Sequence, residues 1–230
     1  MFTLGGVSFW GPVYVQDVLS MSEASSGLVI GGVTVVAGVS GAMLGSVVLD
    51  RVQAGPGKSR LVEAAKVSTI FAALAWPCMM PIAGVQDQIT FFALLAATEF
   101  FMLAAQTPIN VVIMESVPEN LRGSALAVAV LMIHVLGDMP SQVIVGAIAH
   151  AVADGQKHGS RHNDGLRAGI LFVCSYYFLG LVFFALCWLL CSRWHAAQTG
   201  GGPSQRLSQR GSAKSMGSME AELMPQRSSK

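Results

Sequence analysis

Charge is what this sequence has least of. Asp, Glu, Lys and Arg make up 12% of its 230 residues, where a soluble domain carries about a quarter. With 53% hydrophobic residues and a mean hydropathy of +0.57, the chain cannot clothe a globular surface in polar groups. The formal net charge of +1 says nothing about nucleic acid, but no basic patch with interleaved aromatics occurs, so no nucleic-acid partner is expected. Cysteine is also sparse. Cys78, Cys174, Cys187 and Cys191 all lie inside apolar blocks, which excludes a framework of loop disulfides, and the Cys187/Cys191 spacing has no second pair to complete a zinc site. No glycine-rich phosphate loop and no metal-ligand cluster occurs, so neither cofactor nor metal is expected. The first residues lack the basic n-region of a signal peptide; Phe2-Thr3-Leu4-Gly5-Gly6 reads as though a helix had been entered partway along.

What is present is apolar length. Crossing a bilayer core takes about 20 apolar residues as a helix. Six blocks approach this: 2–19, 27–49, 61–83, 89–114, 124–150 and 166–191. The ten-residue alternation of a membrane barrel is missing. The expectation is an all-α membrane protein, a bundle of six transmembrane helices over 1–191, followed by a Ser-, Gly-, Gln- and Arg-rich tail, 192–230, too poor in bulky residues to fold and so disordered. Basic residues favour one side: Arg51, Lys58 and Arg60 in one loop, Arg122 in another, and Arg193 onward in the tail. The hairpins near 20–26 and 84–88 have no Lys or Arg. Both termini of the segment are therefore placed in the cytoplasm, with the 151–165 loop, which mixes both signs, outside.

Within the spans, glycine marks helix packing. Gly27/Gly31 and Gly41/Gly45 have the spacing that lets two helix backbones approach closely. Pro12 is expected to kink the first span, and Pro77 and Pro81 to bend the third. Glu63 and Lys66 are read as interfacial anchors. The sixth span, apolar on every side, is expected to face lipid.

Polar side chains inside apolar spans are costly and point to a pathway. Glu99, Gln106 and Asn110 fall on one face of the fourth span. His134 and Asp138 lie one turn apart on the fifth, ahead of Pro140. Glu99 and Asp138 come at similar depth near the bilayer midplane, where transporter sites are built. Burial would raise the Glu99 carboxyl pKa, and His134 could share a proton with Asp138. Trp10 and Tyr14 are candidates for an aromatic wall. The structural alternative is that these groups only hydrogen-bond neighbouring helices. A different chemistry is also weighed: Gly38-Val39-Ser40-Gly41 matches the Gly-x-Ser-Gly of rhomboid intramembrane proteases, with Ser40 as nucleophile and His134 or His150 as base. Rhomboids carry those residues in the fourth and sixth spans, whereas here they fall in the second and fifth.

Gly45-x-x-x-x-Asp50-Arg51 and Val117-Pro118-Glu119-Asn120-Leu121-Arg122-Gly123-Ser124-Ala125 together resemble the loop signatures of the C-terminal six-helix half of a major facilitator superfamily transporter, the first with one residue more than the usual spacing. Gly6-Val7-Ser8-Phe9-Trp10-Gly11-Pro12, Gly31 to Gly41 and His134-Val135-Leu136-Gly137-Asp138 resemble the spinster group within it, over about residues 5–150. The chain departs from those relatives at His150, where an acid is often found. The resemblance implies a half of the superfamily fold, carrying an amphipathic lipid or related organic solute by alternating access, with membrane lipids around it. It implies gating contacts at Asp50, Arg51, Glu119 and Arg122, and a missing N-terminal six-helix half in the same parent or a partner chain. A non-transporting scaffold half is the remaining alternative.

Overall fold

The computed structural model describes residues 1–53, 59–155 and 161–199. Every regular element among them is helical: α1 Phe2–Asp17, α2 Glu23–Gln53, α3 Arg60–Met79, α4 Gln88–Glu115, α5 Arg122–Ile133, α6 Met139–Gly155 and α7 Arg161–Thr199. Short 3₁₀ turns at Ile82–Gly84 and Glu119–Leu121 join α3 to α4 and α4 to α5, and a π-helical turn, His134–Asp138, links α5 to α6. Lipid offers no partner for a backbone N–H or C=O, so a spanning chain must satisfy them within each segment. Five segments are long and apolar enough to cross a membrane, with α5, the π turn and α6 counting as one. The first expected span falls short: α1 has 16 residues, about 24 Å at 1.5 Å per residue, against a core of about 30 Å.

The bundle is built around α4, with α2 and α3 both packed along it. A Cβ built on Gly41 would collide with the Phe100 carbonyl oxygen, and one on Gly45 with that of Ala104. Only glycine lets these two backbones touch. The other expected pair behaves differently: around Gly27 and Gly31 a Cβ would meet nothing, because the first half of α2 presents that face to the outside. Pro81 does not bend α3; the helix ends at Met79 and Pro81 caps the following 3₁₀ turn. Glu63 is part-buried, with one carboxyl oxygen lacking a partner, rather than reaching freely to an interface.

Two apolar clusters fill the interior. The larger gathers Tyr14, Val15, Met79, Phe91, Leu95, Leu166, Ile170 and Cys174. The smaller gathers Leu49, Ala64, Val67, Phe71, Ala104 and Val111, nearer the Arg60 end of α3. α7 is not wholly lipid-facing. Its Leu166, Ile170, Val173 and Cys174 are buried, Thr3 Oγ1 donates to the Val173 carbonyl and Thr69 Oγ1 to that of Phe184. The helix is described to Thr199, past the composition break at Ser192. Residues 200–230, with the rest of the expected tail, and Lys58 lie outside the described residues.

Asp87 starts α4 as its N-cap: its carboxylate accepts from the Thr90 backbone N–H at 2.8 Å and from Thr90 Oγ1 at 2.7 Å. Those bonds hold the Asp87 pKa below its ordinary 3.8. A lowered folded value means the cap contributes its full stability above pH 3.8 and loses it as the pH falls through the folded value. Asp87→Ala is therefore expected to lower the melting temperature in detergent at neutral pH, with the difference from the parent closing below pH 3.8. Gly45→Leu is expected to cost about 3 kcal/mol by overpacking, while Gly31→Leu stays within about 0.5 kcal/mol; unfolding titrations of both in the same detergent test the contrast.

Candidate functional site

On α2 the residues facing α4 run Thr34, Gly38, Gly41 and Gly45, spaced by four, three and four, one stripe of a helix. The lower three let the backbones close: Gly38 sits under Leu103, whose Cδ1 would be 3.2 Å from an added Cβ, and Thr107 Oγ1 donates to the Ala42 carbonyl at 3.4 Å. The top of the stripe then delivers Thr34 to Glu99, and Thr34 Oγ1 donates to Glu99 Oε1 at 3.1 Å. Glu99 is 2% exposed. Its second oxygen, Oε2, and the neighbouring Thr98 Oγ1 are buried without a partner.

Beside Glu99 is an enclosed cavity lined by Thr3, Leu4, Tyr14, Thr98, Ile170 and Cys174 among others, with about 20 Å³ of room for a water centre. That is enough for one water. Tyr14 is fully buried here: its hydroxyl donates to the Ala83 carbonyl at 2.9 Å and its ring stacks on Phe91, centroids 5.5 Å apart. Trp10 is elsewhere, its Nε1–H donating to the Gln142 carbonyl on α6 at 2.9 Å. The two aromatics do not form one wall. Further along α4, Gln106 Nε2 donates to Asn110 Oδ1 at 3.2 Å, and Gln106 lines a second cavity with Met1, Leu4, Leu103 and Tyr177.

The other carboxylate rests on a backbone irregularity. Pro140 has no N–H, so the α-helical bond back to Leu136 cannot form. The chain widens instead into the π turn, whose next N–H, that of Met139, donates to the His134 carbonyl. Turns of this kind recur at functional sites. Within it His134 Nδ1 lies 2.7 Å from Asp138 Oδ2. The His134 side chain is 62% exposed and that of Asp138 24%. Gly5 of α1 lies against Asp138, an added Cβ falling 2.7 Å from its Cα. α1 thus meets the Glu99 cavity through Leu4 and the His134–Asp138 pair through Gly5, on different faces. Among the described residues no hydrogen bond or shared cavity joins the two carboxylates directly.

At the loop end of α4, Glu115 Oε1 lies 3.7 Å from Arg122 Nη2 and 3.9 Å from Arg60 Nη1, and Arg122 Nε donates to the Met114 carbonyl at 3.1 Å. These partly exposed pairs contribute little energy each, but they fix the ends of α3, α4 and α5 to one another, and Arg122 offsets the free carbonyls of the α4 terminus. Asp50, Arg51 and Glu119 are exposed nearby. Sequence reasoning passed over Thr34, Thr98 and Glu115; the 34/38/41/45 stripe was the available sign of the first. Ser40 is not poised as a nucleophile: its hydroxyl donates to the Val36 carbonyl at 2.6 Å, while His134 pairs with Asp138.

The family model of the Major Facilitator Superfamily matches residues 1–139. Three curated relatives from Arabidopsis thaliana are similar. The probable sphingolipid transporter spinster homolog 2 is 34% identical over 147 residues, which is 64% of this chain and 29% of that protein. Spinster homolog 1 is 32% identical over 145 residues, 63% of this chain and 28% of the relative, and homolog 3 is 31% identical over 149 residues, with 64% and 28% covered. The matched stretch is thus under a third of each relative.

Because Thr34 is the hydrogen-bond partner of Glu99, Thr34→Val is expected to destabilise the bundle by about 1 kcal/mol. The double variant Thr34→Val/Glu99→Leu should recover that loss, since two apolar side chains leave no buried group unpaired. Unfolding in detergent reads both. A double variant less stable than the single one would mean that Glu99 is held by more than Thr34.

Proposed function

We propose, from the premise that this chain belongs to the Major Facilitator Superfamily, that it forms one half of a membrane transporter whose pathway runs past α1, α4 and the π turn. The observation that carries the reading is the pair of carboxylates within apolar spans. One, Glu99, is buried with an oxygen to spare, and the other, Asp138, is coupled to a histidine that reaches the surface of the bundle. A purely structural polar group in lipid tends to be fully paired; a spare acceptor at mid-depth suits a visiting polar headgroup or proton.

The substrate class proposed is an amphipathic lipid or related organic solute, supported by the likeness to relatives named as probable sphingolipid transporters. Its polar end would meet Glu99, Gln106, Asn110, His134 or Asp138. Its apolar part would lie along the exposed side chains of α5, the π turn and α6, among them Leu131, Leu136 and Val143. Alternating access requires a second six-helix half rocking against this one, with Asp50, Arg51, Glu119 and Arg122 among the contacts at the loop end. The reading is a carrier and not an enzyme: the bundle moves a molecule past fixed groups without changing its bonds.

In the full-length parent, Asp138→Asn keeps the shape but removes the negative charge beside His134. It is expected to lower transport about tenfold or more at equal surface level, with membrane insertion unchanged. Undiminished transport in vesicles by this variant would remove Asp138 from the pathway.

A further inference from the structure

The transport reading leaves Arg167 of α7 without a task. It stands at the head of an apolar run: residues 168–191 include no acidic or basic side chain, and as helix they measure about 36 Å. A bilayer core is about 30 Å thick, so with that run across the core Arg167 comes at the headgroup boundary. An arginine at such a depth ordinarily swings its charge toward water. This one is held. Its guanidinium lies beside the Tyr14 hydroxyl, and that hydroxyl is itself fixed by donating to the Ala83 carbonyl at 2.9 Å. Nε of Arg167 is buried and has no acceptor. Among the described residues no carboxylate comes within 4.0 Å of the guanidinium. A cation fixed at the edge of an apolar span and left unpaired calls for an anion from outside the bundle.

The surface that follows Arg167 along α7 is apolar and open. Leu171, Phe178 and Val182 share one stripe of the helix with it, and they are 44%, 48% and 37% exposed. Phe178 is braced by Trp76 of α3, ring centroids 5.3 Å apart. We infer that Arg167 and this stripe hold one phospholipid, its phosphate on the guanidinium and an acyl chain along Leu171, Phe178 and Val182. The charge selects the headgroup: a guanidinium is planar, lacks a counter-charge here, and can donate to two phosphate oxygens at once. The stripe selects the chain. It begins one turn from the charge and runs away from the boundary, and from Leu171 to Val182 it covers about 16 Å, close to one leaflet's half of the core. A protein partner would have to carry a carboxylate into the bilayer edge at a desolvation cost, whereas a phospholipid has its phosphate there already. The lipid is a resident of the bundle and not its cargo, so the inference stands apart from transport.

The test uses the purified chain, freed of lipid in a neutral detergent. Phosphatidylglycerol, a diacylglycerol with the same chains and inorganic phosphate are titrated separately, with melting temperature and native mass spectrometry as readouts. Phosphatidylglycerol is expected to raise the melting temperature by roughly 4 °C and to stay bound as a one-to-one adduct, while the other two probes do neither. Arg167→Gln is expected to weaken half-saturation about tenfold. Arg167→Lys, which keeps the charge and loses the planar fork, should weaken it about threefold, and it serves if the glutamine variant does not fold. Lys66→Gln, a charge lost from the opposite end of α3, should change nothing. The inference is overturned if no adduct forms, if diacylglycerol stabilises as well as phosphatidylglycerol, or if binding is undiminished in both Arg167 variants. An equal loss in Lys66→Gln would also overturn it, by showing general attraction to basic residues. A full effect from inorganic phosphate would do the same, marking an anion site that takes no lipid.

Discussion

Helices in a bilayer gain nothing by hiding apolar surface from a solvent that is itself apolar, so their association depends on how closely atoms can be brought together. In this bundle that constraint is met where α2 crosses α4, at Gly41 and Gly45 against the carbonyls of Phe100 and Ala104. The closeness is also what makes the Glu99 site. A wider crossing would leave Thr34 out of reach, and Glu99 would lose its hydrogen bond. Packing and chemistry are therefore two ends of one stripe of four residues.

The second site has the opposite origin. It comes from a place where the regular helix cannot be completed. Pro140 withholds a donor, the hydrogen-bond ladder widens by one residue, and the His134–Asp138 pair occupies the widened turn. Glu99 is enclosed and the His134 side chain beside Asp138 is exposed, so the two carboxylates differ in their access to the surroundings of the bundle. α1 touches both, the cavity beside Glu99 through Leu4 and the Asp138 backbone through Gly5.

Much of this was legible in the residues. Apolar length announced the helices, since backbone bonding in lipid leaves few other choices, and the polar positions in α4 and the fifth span stood out against their surroundings. The Gly41/Gly45 spacing pointed to a close crossing. Gly27/Gly31 has the same spacing and meets nothing, because spacing describes one helix and contact requires two. Tyr14 and Trp10 looked alike on α1, yet one is stacked on Phe91 in the core and the other bonds to α6; which way each points depends on neighbours far off in the chain. The π turn was half visible, in Pro140, and the partner of Glu99 was hidden in a glycine motif that seemed to speak only of packing.

The Gly41–Gly45 crossing also has a genetic consequence. Every amino-acid replacement reachable from a glycine codon by one base change adds a Cβ, so at these two positions the code offers no replacement that keeps the close crossing. Such a seam is exposed to point mutation in a way that the apolar core is not, where Val, Leu, Ile, Phe and Met interchange by single bases with modest loss. Variation in a population of such chains should be thin at these two glycines and broad along the outward face of the same helix.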